Sequence, residues 1–152
     1  MVQLFVNSHA RVLDTKGRLM LPPEYREGLQ TVLEEGAELG FWLTGFYGRL
    51  VAYLPKDWAK ITEQLRNIPF TDIKLSHFKS KVLGLATFIT LDAQGRVRIP
   101  QPLMRAAGLE KDVLLVGMCD KFEIWDQRRF DDILANEDIS EAVAKTGLEI
   151  SL

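Results

Sequence analysis

Arg11, Lys16 and Arg18 lie within eight residues, and Asp14 is the one acid among them. A local net charge of +2 on a single turn of chain is suited to holding an anion. An arginine meets an anion as a planar fork, whose parallel N–H groups match two oxygens of a phosphate or carboxylate. A lysine meets it as a point charge. The stretch DTKGRLMLP, residues 14–22, returns as DAQGRVRIP at residues 92–100, 78 positions later. The second copy supplies Arg96 and Arg98, with Gln94 where the first has Lys16. A purely structural account is also available, in which Arg18 pairs with Asp14 to tie its loop, worth ~0–1 kcal/mol at an exposed site. From the residues alone both accounts stay open.

The elements that must carry these side chains follow from the residues around them. Asp14 and Asp92 can accept hydrogen bonds from amides a little further on and so open a tight turn. Gly17 and Gly95 supply the positive φ that other residues resist. Pro22 and Pro100 end the strand that follows, having no amide hydrogen to donate. Period-two alternation sends Leu19 and Leu21, like Val97 and Ile99, to one face, so Arg18, Met20, Arg96 and Arg98 share the opposite one.

The likeness of the halves continues beyond this motif. LMLPPEYREGL (19–29) answers VRIPQPLMRAAGL (97–109), with one-residue slips that set Arg26 against Arg105 and Leu29 against Leu109. LTGFYGRLVAYLPKDW (43–58) answers LVGMCDKFEIWDQRRF (115–130) at an offset of 72. Such a duplication is the mark of a repeated unit. Each unit reads as a strand (10–13; 86–91), the Asp-x-x-Gly turn and a second strand (18–21; 96–99). A short helix stopped by Gly28 or Gly108 comes next, then two strands (40–45 and 49–54; 112–117 and 121–125) and a helix from Pro55 or Asp126. Residues 71–84 predict a further helix, with Thr71 as N-cap and Ile73, Phe78 and Val82 near one face. The chain from Ile139 onward starts helical and then frays. Neither half can bury much surface alone, so the expected fold is α+β and mainly β: one pseudo-twofold β-barrel shared by both halves, with helices outside. The expected organisation is one domain over 1–152, divided into a first half (4–70), a connecting helix (71–85), a second half (86–135) and an acidic helical tail (136–152).

Composition limits the function. Apolar residues are 47% and charged residues 26%, as in a globular chain. No apolar run approaches the length of a membrane span, and no secretory leader is visible, so the expected location is cytoplasmic. One cysteine, Cys119, cannot form an internal disulfide. The net charge of −2 hides a gradient: residues 120–152 hold 9 acids and 4 bases, which leaves residues 1–119 mildly basic. Two histidines without metal-ligand spacing, and a cysteine with no neighbouring base, point to no metal, no cofactor and no nucleophile. His77 reads as an ordinary helix-surface residue. Trp58 and Trp125 read as core; Trp42 is undecided. A small-barrel enzyme with a small-molecule substrate finds no convergent polar set here, although barrels host many chemistries.

The paired D-x-x-G-R motifs, together with FEIWD (Phe122 to Asp126) and the FTD that opens the central helix, resemble the MraZ family, within the AbrB-type swapped-hairpin DNA-binding proteins. The likeness covers nearly the whole chain. It implies a swapped-hairpin barrel formed by the two halves and no enzymatic activity. It further implies a nucleoid-associated regulator, a ring-shaped homo-oligomer that binds guanine-rich tandem repeats in double-stranded promoter DNA of the division and cell-wall gene cluster. Arg18 becomes the principal DNA contact, with Lys16 beside it, Arg11 on a phosphate, and Arg96 and Arg98 as second-copy contacts ranked lower because Gln94 replaces a lysine. Asn7 stands where the family often has Gly, Arg11 where it often has His, and the N-terminus runs about three residues longer. An AbrB-like antitoxin, with its C-terminal segment on a toxin, is the neighbouring alternative.

Overall fold

The computed structural model describes residues 4–150. Residues 1–3, on which the expected N-terminal extension falls, and 151–152, which end the segment expected to fray, lie outside the described residues. Residues 4–150 form eight strands and six helices, in the order β1 (Ser8–Val12), β2 (Arg18–Met20), α1 (Pro23–Val32), β3 (Gly40–Phe46), β4 (Arg49–Tyr53), α2 (Pro55–Arg66), α3 (Ile73–Leu85), β5 (Thr87–Thr90), β6 (Arg96–Arg98), α4 (Gln101–Ala106), β7 (Asp112–Gly117), β8 (Lys121–Asp126), α5 (Gln127–Asn136) and α6 (Ser140–Thr146).

The halves interlock. Six strands make one antiparallel sheet in the order β1-β7-β8-β4-β3-β5, and β2 pairs only with β6. β1 therefore leaves its own half to pair with β7, with Ser8 opposite Val116. β5 makes the reciprocal crossing to β3, with Thr90 opposite Gly40. The central β4–β8 pair sets Leu50 against Ile124 and Ala52 against Phe122, so the pseudo-twofold axis runs between Val51 and Glu123. The β2–β6 ribbon is centred likewise on Leu19 opposite Val97.

The α+β, mainly antiparallel class and the two homologous halves are as the repeat implied, but the sheet is not closed into a barrel. Its edges, β1 and β5, stay apart. β2 and β6 are three residues each, stopped by Pro22 and Pro100, and cannot bridge the edges as ladder strands. Instead their inward residues, Leu19 and Val97, join Leu43, Leu50, Leu115, Phe122 and Ile124 in the principal core. A second core lies on the other side of the sheet, where Val51, Tyr53 and Val82 pack with Trp58 and Leu65 of α2. Trp42 belongs to it, half-buried and stacked on Trp58 with ring centroids 5.7 Å apart. Trp125 is half-buried against Phe130.

Several local expectations shift. α1 runs through Gly28, which is buried inside the helix where a β-carbon would come within 3.0 Å of the Leu4 carbonyl. Gly28 serves close approach, whereas Gly108, with φ +60, does stop its helix. Asp72, not Thr71, caps α3: its carboxylate accepts from Leu75 N at 3.1 Å. Ile73 points away from the sheet, exposed. The one-residue slips disappear, because the 78-residue offset persists into the helices. A β-carbon on Gly17 would meet Met104, and one on Gly95 would meet Arg26, which makes Arg26 and Met104 equivalents.

Candidate nucleic-acid interface

Both Asp-x-x-Gly-Arg loops are built alike. Asp14 Oδ1 accepts from the amides of Lys16 and Arg18, each at 2.9 Å, and Oδ2 accepts from Arg18 Nε at 2.7 Å. Asp92 repeats this with the Gln94 and Arg96 amides at 2.9 Å and Arg96 Nε at 2.8 Å. Gly17 and Gly95 close the turns at φ +78 and +83, a conformation costly for any side chain with a β-carbon. The carboxylates thus hold their loops through backbone amides and at the same time aim an arginine.

Charge-accepting hydrogen bonds favour the ionised carboxylate. Amide donation from Arg18, above all, holds the Asp14 carboxyl down at about 2. Asp92 is lowered for the same reason, with Arg96 the first donor. The stabilisation is therefore complete above the ordinary carboxylate value of 3.8 and is lost as pH falls through about 2. We predict that the Arg18 amide resonance keeps its neutral-pH position down to about pH 4 and then titrates with a midpoint near that of Asp14. A midpoint at the ordinary aspartate value would contradict the loop geometry.

The register of the ribbon brings the cations together. Arg18 lies directly opposite Arg98, and Met20 opposite Arg96, all on the outward face above the buried Leu19–Val97 pair. The ladder extends by Leu21 N to Gly95 O at 3.1 Å and Ile99 N to Gly17 O at 2.9 Å, which ties each loop to the other half's strand. Lys16 and Arg98 thereby line one shallow groove with Ile99, Pro100 and Gln101. Arg98, at the position equivalent to Met20, adds its charge beside Lys16, so the loop that carries Gln94 is left the poorer of the two. Like charges opposite each other across a ribbon are destabilising unless a counter-charge is present. Asp14 supplies part of it; an anion over the groove would supply the rest.

Arg18 and Arg96 each engage their aspartate through Nε alone, about a third exposed. Among the described residues Nη1 and Nη2, the pair that forms a two-pronged grip, take no protein hydrogen bond. Arg11 is placed differently. Its Nε donates to Met20 O at 3.0 Å and its Nη1 to Ala10 O at 2.8 Å, so it brackets β1 to β2 beside the ribbon.

Two arrangements were not apparent from the sequence. Arg26 lies over the Gly95 turn with its Nε buried and unpartnered among the described residues. Arg49 Nε bonds Glu123 Oε2 at 2.9 Å, Trp125 Nε1 donates to Glu123 Oε1 at 3.0 Å, and the guanidinium sits 5.6 Å from the Trp125 ring centre. In the sequence Glu123 stands out only as part of FEIWD, and Arg49, 74 residues away, belongs to no motif. His77 is exposed on α3, and Cys119 is exposed in the β7–β8 turn. Among the described residues no cluster of His, Cys, Asp or Glu could hold a metal ion, and no helix is long and apolar enough to cross a membrane.

The sequence matches the family described as "MraZ protein, putative antitoxin-like" over residues 4–80 and again over 82–149. It is 43% identical over 148 residues to "Transcriptional regulator MraZ" of Nitratidesulfovibrio vulgaris strain Hildenborough, covering 96% of this chain and 97% of the relative. A protein of the same name from Maridesulfovibrio salexigens is 39% identical over 142 residues, 92% of this chain and 93% of the relative. One from Acetivibrio thermocellus is 33% identical over 150 residues, 95% of this chain and the whole of the relative.

Proposed function

Because the chain belongs to the MraZ family, whose named relatives are transcriptional regulators rather than enzymes, we propose that its arginine ribbon binds double-stranded promoter DNA. The observation that carries this reading is the Arg18–Arg98 pair with Lys16 beside it, a like-charge cluster held rigidly by Asp14 and lacking its full counter-charge. A duplex supplies that charge as phosphate. Lys16, Arg98 and the remaining N–H groups of Arg11 take phosphate oxygens, which position the protein without reading sequence. Arg18 turns its Nη pair to guanine O6 and N7 in the major groove, a contact worth about 1–3 kcal/mol of discrimination. Arg96 makes the equivalent contact more weakly, flanked by Gln94 and Met20 instead of Lys16 and Arg98.

One ribbon is too small for tight binding. Several, carried by a ring-shaped homo-oligomer, bind guanine-rich tandem repeats, since each tethered contact acts at high effective concentration. The targets are promoter repeats of the division and cell-wall gene cluster, and the protein works in the cytoplasm on the nucleoid.

Fluorescence anisotropy of labelled duplexes tests this. Affinity should rise steeply with the number of guanine-rich repeats. The logarithm of the association constant should fall against log salt with a slope of about −2 to −3 for each engaged ribbon. Binding indifferent to repeat number, or flat with salt, would remove the reading.

A further inference from the structure

The arginine ribbon has two ends, related by the pseudo-twofold axis and unlike in chemistry. At one end Lys16 and Arg98 line a groove with Ile99, Pro100 and Gln101. The matching positions, 78 residues away, are Gln94, Met20, Leu21, Pro22 and Pro23. Leu21 N donates to Gly95 O at 3.1 Å and holds the Gln94 loop against β2 at this end. Two cations at one end thus answer to an amide and a thioether at the other.

Of the four outward side chains on β2 and β6, three are arginines and the fourth is Met20, 43% exposed and opposite Arg96. Gln94 is exposed as well. Its backbone amide donates to Asp92 Oδ1 at 2.9 Å, while its carboxamide takes no hydrogen bond among the described residues.

Neither side chain suits a phosphate. Phosphate oxygens only accept, which leaves the acceptor half of a carboxamide idle. A thioether pressed on a phosphate strips water from the charge and returns no hydrogen bond. The major groove offers each a better partner. Adenine N7 accepts and N6 donates side by side, matching the two halves of a carboxamide, and the thymine methyl is the groove's apolar group. Both partners belong to one base pair.

The spacing agrees with this. Arg18 and Met20 lie on the same face of β2, two residues and so about 6.6 Å apart. Two base steps of about 3.4 Å cover the same length. With Arg18 on a guanine, Met20 stands over the groove two pairs along.

We propose that the Gln94–Met20 end of the ribbon reads an A·T pair two steps from the guanine held by Arg18. The Gln94 carboxamide bonds adenine N7 and N6, and Met20 covers the thymine methyl. The proposal rests on the DNA-binding reading above and adds a second specificity to the same site. It also gives each ribbon a direction. A ribbon with like ends would fit a repeat in either sense, as a twofold reader fits a palindrome. Unlike ends fit it in one sense only, which a row of repeats in one orientation requires.

The test selects duplexes from a random pool with the full chain, sequences them, and measures affinities by anisotropy. Wild type should fix a guanine and, two pairs away, an A·T pair. Replacing that thymine by deoxyuridine removes the methyl alone and should weaken wild type about 4-fold for each engaged ribbon. Met20→Ala should bind both duplexes equally. Gln94→Ala should lose about 5- to 150-fold of the discrimination between A·T and G·C. Both side chains are exposed, so melting temperatures should stay at the wild-type value. Met20→Arg combined with Gln94→Lys makes the second end a copy of the first. The A·T preference should then vanish, and the salt slope should steepen by about 2 for each ribbon.

A selected guanine with no A·T pair two steps away would overturn the proposal and leave Arg18 in its role. So would a deoxyuridine duplex that wild type binds as well as the thymine one, or an A·T preference that survives Met20→Ala and Gln94→Ala. Selection of no guanine at all, with Arg18→Ala binding like wild type, would remove the DNA-binding reading and this proposal with it.

Discussion

Arg18→Ala should abolish discrimination between guanine-rich repeats and scrambled duplex. At a single repeat the lost grip is worth about 1–3 kcal/mol, or about 5- to 150-fold in affinity. On a duplex carrying several repeats the losses compound, since every engaged ribbon loses the same contact. The fold should not suffer. Arg18 and Asp14 form a partly exposed pair, worth about 0–1 kcal/mol, and Asp14 keeps its bonds to the Lys16 and Arg18 amides, which need no side chain. Arg18→Lys sharpens the result. It keeps the charge but not the planar fork, so the salt slope should stay near wild type while the guanine preference falls. Arg96→Ala should cost less than Arg18→Ala, because Gln94 and Met20 surround it with less charge. Equal retention of repeat preference by all three variants, measured by anisotropy, would leave the duplicated turn as a folding device only.

The largest loss of stability is expected from Glu123→Ala. Glu123 is 6% exposed on β8, facing Val51 on the pseudo-twofold axis, and it is the one buried acid among the described residues. Its two oxygens are separately engaged, one by Arg49 and one by the Trp125 indole. Removing it strands a guanidinium that is about three-quarters buried between Phe46, Tyr47 and Trp125. Breaking a buried pair from one side typically costs 3–5 kcal/mol; partial access of water to Arg49 puts this case near ~3 kcal/mol. Glu123→Leu with Arg49→Met removes both charges and keeps the volume, and should be markedly less damaging than either single change. Urea denaturation of the four proteins decides it. Additive losses would mean that Arg49 and Glu123 act independently.

The Arg49–Glu123 pair also shows why some of the site was hidden. Nothing near Arg49 in the chain distinguishes it from a surface residue in a hairpin, and its partner arrives only through the β4–β8 register. Arg98 was similar. On its own strand it was one more outward arginine, ranked low beside Gln94. Opposite Arg18, and sharing a groove with Lys16, it adds its charge to the first loop and not to the one that carries Gln94. The helices show the reverse error: Gly28 has the look of a helix stop, and only the approach of Leu4 explains its presence inside α1.

By itself the sequence determined what depends on neighbours a few residues apart. The Asp14 and Asp92 turns, the positive φ at Gly17 and Gly95, the halts at Pro22 and Pro100, and the outward alternation of the arginines all rest on local hydrogen bonds and backbone sterics, which travel with the residues. The duplication, and with it the two-half architecture, was visible as repeated spacing. The tertiary structure decided what lies across from what: β1 on β7 rather than within its own half, an open sheet instead of a closed barrel, Arg18 against Arg98, Arg49 against Glu123. The physical reason is that a strand's alternation states which face is apolar but not which partner covers its edge. Both halves carry nearly the same strands, so local pattern fits either pairing, and only the joint burial of Leu19, Val97, Leu50 and Ile124 in one core selects between them.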